Sequence, residues 1–167
     1  MTFSYLRRFV AACVLTVMLC VSGCSNPTST ANAPTSAPNA NGAAVSSQAI
    51  EGSKFNKFFP PDGNGFDRVY TQEKDGFVEA KLKQDGKDLA MLAISDTIST
   101  PAAAQKFQQA SQQISGYPAV EVGNTQTALL VANRFQVKVI SRDPNFTAAD
   151  RETWLQKFDL NGLARLK

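Results

Sequence analysis

Cys24 is the residue whose neighbours restrict its chemistry most closely. It ends the tetrad Val21-Ser22-Gly23-Cys24, which closes an apolar run. Ser22 and Gly23 are small enough to leave the backbone open to an enzyme cleft, and the Cys24 thiol is a nucleophile that can be alkylated. Cys20 lacks this setting because bulky Leu19 precedes it, and Cys13 lies deeper in the apolar run. Elsewhere the repertoire is narrow. The chain has no histidine, which removes Ser-His-Asp and Cys-His catalysis and the imidazole ligands of zinc sites. Carboxylates, lysines, arginines, tyrosines and hydroxyls remain. Two carboxylates facing one cleft could hydrolyse a glycoside, but the acids here fall in turns and on outward strand faces, where solvation accounts for them. Asp62, Asn64 and Glu73 match positions 1, 3 and 12 of a calcium loop. Phe66 and Asp67 then occupy positions 5 and 6, where an oxygen ligand and a glycine are needed, so the match fails. No Gly-rich phosphate loop is present. The sequence therefore assigns no catalytic residue, no metal ligand and no cofactor.

The elements around Cys24 explain its exposure to processing. Arg7 and Arg8 form a basic start, and Phe9–Val21 is nearly unbroken apolar sequence. Thirteen residues rise only about 20 Å as a helix, short of the roughly 30 Å hydrocarbon core. A cleaved signal peptide fits that length better than a permanent span. The tetrad resembles the lipobox of bacterial lipoprotein precursors, with Val21 in place of the commoner leucine. The resemblance covers residues 1–24 and implies a diacylglyceryl group on the Cys24 thiol, cleavage between Gly23 and Cys24, and acylation of the freed amine. It thus implies a membrane partner reached through a lipid anchor. Ser25 is not aspartate, so by the sorting rules of that class an outer membrane, where the cell has one, would receive the protein on its periplasmic side. Otherwise the cell membrane would.

Residues 24–49 read as the lipidated cysteine and a flexible linker. After Cys24 this stretch carries no charge and is almost entirely Ala, Ser, Thr, Asn and Pro, too polar to offset ordering entropy. Residues 50–167 then have the length of one domain. The chain holds 17 basic and 14 acidic side chains; loss of Arg7 and Arg8 with the signal leaves 15 against 14, a balance of +1. That excludes the strong basic field that nucleic-acid binding needs.

Alternation and turn signals place the domain's elements. Val78, Ala80 and Leu82 face one way and Glu79, Lys81 and Lys83 the other, with Asp85-Gly86 as a hairpin turn before a buried strand over 89–95. Thr100-Pro101 opens a predicted helix whose stripe is Ala103, Phe107, Ala110 and Ile114, ended by Gly116. Strands follow over 119–122 and 127–131, a turn at Ala132-Asn133, and a strand with Phe135, Val137 and Val139 inward. Thr147 and Asp150 start a second helix carrying Trp154, Leu155 and Phe158. Phe55, Phe58 and Phe59 are predicted to cover one edge of the core. The fold class is α+β: an antiparallel sheet with two main helices on one face. A shift of about 46–47 residues lays 89–95 over 135–141 and Phe107 over Trp154, which suggests a β-β-β-α duplication.

Arg134, Lys138 and Arg142 are spaced to project together from the last strand. With Lys81 and Lys83 on neighbouring strands they form a candidate basic face for an acidic partner or anionic headgroups. The expected function is that of an envelope lipoprotein whose small, non-catalytic domain binds another protein or a ligand as an accessory module. A carboxylate-based hydrolase of an envelope polymer, and a purely structural or lipid-contacting module, are the alternatives.

Overall fold

The computed structural model describes residues 44–167. The segment 1–23, with Val21, Ser22 and Gly23, and Cys24 with most of the 24–49 linker lie outside the described residues. The described part is α+β, built on one seven-stranded antiparallel sheet. Its strands are β1 (Phe66–Lys74), β2 (Phe77–Gln84), β3 (Lys87–Asp96), β4 (Gln112–Ile114), β5 (Tyr117–Val122), β6 (Gln126–Val131) and β7 (Phe135–Ser141). Their order in the sheet is β1-β2-β3-β7-β6-β5-β4. Two meanders, β1–β3 and β5–β7, therefore meet at a single β3–β7 seam. The helices are α1 (Ala102–Gln105), α2 (Ala148–Gln156) and α3 (Leu160–Ala164), with 3-10 turns at Gly52–Phe58 and Thr97–Ser99.

One sheet face carries the main core. Val78, Ala80, Leu82, Leu92, Ile94, Leu129, Val137 and Val139 are all buried there. Over them pack Phe55, Phe58 and Phe59 from the first 3-10 turn and its exit, Trp154 and Leu155 from α2, and Leu160 and Leu163 from α3. The Phe55 ring meets Phe135 edge-on at 5.8 Å and Phe59 meets Phe158 at 5.2 Å. The phenylalanine cluster thus covers the core, as its sequence suggests. At the start of α2 the Thr147 hydroxyl accepts from the Asp150 N–H at 3.3 Å, and the Asp150 carboxylate accepts from the Thr147 N–H at 2.8 Å. This is the reciprocal capping box that the Thr147/Asp150 spacing predicts.

The helix predicted from Pro101 to Gly116 is a correction. Only Ala102–Gln105 is helical, and Ile114 lies in β4. Ser115 (φ 52°) and Gly116 (φ 81°) form a left-handed hairpin turn into β5 instead. A glycine at positive φ suits either a helix end or such a turn, so Gly116 did not discriminate. Phe107 packs with Ala128 and Leu130 on the side of the sheet opposite Trp154, since Ala128 and Leu130 alternate with Leu129 and Val131 along β6. The two meanders repeat as strands, but the helices after them do not share a face.

Ala132 (φ 50°) and Asn133 (φ 54°) make the β6–β7 turn, closed by the Arg134 N–H donating to the Val131 carbonyl at 3.0 Å. Such a turn needs positive φ at both central residues, where the Cβ of alanine crowds the following carbonyl oxygen. Ala132→Gly is expected to raise the urea midpoint, a gain of about 0.5–1 kcal/mol. An unchanged or lower midpoint would show that the turn is not strained.

Candidate functional site

The sheet's other face carries the basic residues, and strand register fixes its rows. At the end nearest Gly76, Lys74 is opposite Phe77, Phe77 opposite Ser95, and Ser95 opposite Gln136. The next row runs Glu79, Ala93, Lys138, Ala128 and Val120. The third runs Val69, Lys81, Met91, Ile140, Gln126 and Val122. Among the described residues the packed cluster on this side is Phe107, Ala128 and Leu130, with Ala104 and Val120 against it. Over β1, β2 and β3 no such cluster lies among the described residues, although Met91 and Ala93 on β3 are buried there. Among the described residues, Val69 in β1 and Val122 in β5 are exposed and lie at opposite ends of the third row.

Of the five basic residues read from sequence, Lys81, Lys83 and Lys138 share this face. Lys81 ion-pairs with Asp88 at 2.6 Å and Lys83 pairs with the same carboxylate. Hydrogen bonds from Lys81 and Lys83, reinforced by their charge, hold the Asp88 carboxyl below its usual range. β3 separates Lys81 from Lys138, so they are diagonal neighbours rather than adjacent. Lys138 lies over the Phe77 ring at 5.6 Å, and Lys74 lies over the same ring at 5.5 Å. Lys106, from the segment that carries Phe107, joins them. Burial lowers the pKa of Lys138 against a partial offset from Glu79, and burial followed by repulsion from Lys138 lowers that of Lys106.

Arg134 and Arg142 do not join the face. Both flank β7 rather than belong to it. The left-handed turn carries Arg134 onto Asp96, donating from Nε at 2.9 Å and from Nη2 at 2.7 Å, with a further bond to the Gln48 carbonyl at 2.9 Å. The Asp96 side chain is fully buried and also accepts from the N–H groups of Ile50 and Ile98, each at 3.1 Å. Burial pushes this carboxyl up, but the bonds from Arg134, Ile50 and Ile98 outweigh it and hold the pKa below the ordinary carboxylate value. The clamp is structural: it fixes Gln48–Ile50, where the linker meets the domain, to the ends of β3 and β7. Arg142 is exposed at the opposite end of β7, beside Asn124 and Thr125 on a shallow depression.

Sequence reasoning did not find Lys74 or Lys106. Tyr70 and Lys74 share parity, yet a bulge between Tyr70 and Gln72 sends Tyr70 to the core and Lys74 outward. Arg151 on α2 was also missed. It is 2% exposed and donates to the Thr127 hydroxyl at 2.8 Å, the Ser141 hydroxyl at 3.0 Å and the Asn124 carbonyl at 3.2 Å. Its nearest carboxylate, the exposed Glu121, stands 3.9 Å away.

Two acids share a cavity on the helical side, where Asp143 and Asp150 line a space of about 260 Å³ with Phe66, Leu89, Phe146 and Trp154. Hydrogen bonds from Lys87 and the Asn145 N–H hold the Asp143 carboxyl low, and those from Thr147 hold Asp150 low. A glycosidase pair needs one carboxyl raised to donate a proton. Neither of these is set up to do so. Among the described residues no three carboxylates or cysteines converge as a metal site. Comparison with known proteins gives no family model, no curated protein and no solved structure that matches this chain.

Proposed function

We propose that the chain is the precursor of an envelope lipoprotein, anchored through Cys24, whose domain is a non-catalytic binding module. The anchor rests on the Val21-Ser22-Gly23-Cys24 tetrad behind its basic and apolar segments. One observation carries the binding reading: a single sheet holds the aromatic core on one side and, on the other, gathers lysines around the half-buried Phe77 ring with Val69 exposed at the edge. Single exposed apolar side chains are ordinary on a soluble domain, whereas two lysines converging on one partly exposed aromatic ring mark a contact surface. Asp88, Asp96, Asp143 and Asp150 are each held by hydrogen bonds within the protein.

Metabolic labelling with palmitate tests the anchor. The wild type is expected to carry label and to stay with membranes through a high-salt wash. Cys24→Ala is expected to lose all label and to accumulate at the larger, unprocessed size. A wild-type product that is unlabelled and retains residues 1–23 would overturn the reading.

A further inference from the structure

We infer that the open sheet face lies against the anionic lipid surface of the membrane that holds the anchor. The inference rests on the lipoprotein reading above and names the partner of its binding face.

The first support is where the linker joins the domain. The Ser46 N–H donates to the Ser99 hydroxyl at 2.8 Å, and Gln48 and Ile50 are held by Arg134 and Asp96. The Gly76 N–H donates to the Ile50 carbonyl at 2.6 Å, so the linker arrives at the end of the sheet whose outward row is Lys74, Phe77, Ser95 and Gln136. Exposed Val45 precedes this junction. The basic and aromatic row is therefore the part of the open face nearest the chain that leads to the lipid.

Linker length is the second support. From Cys24 to Ser46 are 22 residues, a length that can reach at most about 75 Å even fully extended. The domain so held meets its own membrane at an effective concentration on the order of millimolar, so a weakly attractive face is enough to keep it docked.

Charge and polarity are the third. Lys74, Lys81, Lys83, Lys106 and Lys138 outnumber the face's acids, Asp67, Glu79 and Asp88. Two of those lysines share one aromatic ring and two crowd each other. A phosphate oxygen arriving between Lys74 and Lys138 above the Phe77 ring adds counter-charge to that of Glu79. Val69, exposed at the sheet edge opposite Lys81, adds an apolar contact beside them.

Lysine footprinting tests the arrangement. The purified lipidated protein is reconstituted outward-facing in vesicles of phosphatidylcholine, or of phosphatidylcholine with phosphatidylglycerol, and acylated with a membrane-impermeant reagent. With phosphatidylglycerol at low salt, labelling of Lys74, Lys106 and Lys138 is expected to fall at least about threefold and to recover at high salt. Lys57 and Lys157, which sit over Phe58 and Trp154 on the helical side, are expected to label equally in both vesicles. The double substitution Lys74→Glu, Lys106→Glu is expected to abolish the protection of Lys138. Equal labelling of the face in both vesicle types would overturn the inference while leaving the anchor intact. Protection in native membranes but not in protein-free anionic vesicles would overturn it in favour of a protein partner. Protein that leaves both vesicle types would overturn the anchor, and the inference with it.

Discussion

Asp96→Ala is expected to cost the domain about 3–4 kcal/mol, read as a lower urea midpoint. The carboxylate has no solvent contact and satisfies four donors, two on Arg134 and the N–H groups of Ile50 and Ile98. Its removal strands a half-buried guanidinium and two backbone donors at once, and losing one partner of a buried pair costs more than the pair itself contributes. That is a large share of the 5–15 kcal/mol that holds an ordinary domain together. The pH dependence follows from the sign of the shift. The folded pKa lies below the unfolded value of about 3.9, so the contribution is complete above that value and fades as pH falls through the folded pKa. Asp88, Asp143 and Asp150 shift in the same direction. Wild-type stability should be flat near neutrality and decline below about pH 4, and Asp96→Ala should decline less steeply. A variant within about 1 kcal/mol of wild type at pH 7 would show that water replaces the clamp.

Arg151→Ala is expected to cost about 3 kcal/mol, whereas Arg151→Met should cost about 1 kcal/mol or less. The difference arises because the guanidinium is buried among hydroxyls and a carbonyl with no close carboxylate. Both substitutions orphan the Thr127 hydroxyl, whose residue is 1% exposed, but alanine also leaves a cavity. Methionine fills most of the space without a charge to solvate. Trp154, three residues along α2 and packed against Phe66 at 5.0 Å, reports the same helix by its fluorescence during urea unfolding. Equal losses for alanine and methionine would assign the stabilisation to the hydrogen bonds rather than to filled volume. A benign alanine would dismiss Arg151 as the pin between α2 and the β6–β7 meander.

Period-two alternation and turn chemistry made most of the sheet legible. Val78, Ala80 and Leu82 occupy the core as their spacing requires, and Asp85-Gly86 turns with φ of 50° and 78°. Alternation also placed Lys81, Lys83 and Lys138 on the outward side. It failed wherever one inserted residue resets parity. Tyr70 and Lys74 are divided in this way by one bulge, and Asp88 and Ala90 by another between Leu82 and Lys83. Arg134 was misread because its direction depends on the left-handed pair before it rather than on strand period. The segment from Pro101 to Gly116 has a plausible helical stripe, but Phe107 and Ile114 serve opposite sides of the sheet. Five glutamines in that segment supply no ion pairs that would hold a helix together. Cys24 remains a reading of sequence alone, outside the described residues.

The β3–β7 seam also sets an order of events for the folding chain. Each hairpin closes over a few residues, but the seam joins partners from Asp96–Phe135 to Ala90–Ser141, separations of 39 to 51 positions. Loop closure over that distance carries the larger entropic barrier. The hairpins can therefore nucleate independently, and productive collapse waits for the two halves to find each other along one pair of strands. Until then both β3 and β7 present bare amides and carbonyls. The interval before the seam zips is when the polypeptide is most exposed to mispairing with a neighbour.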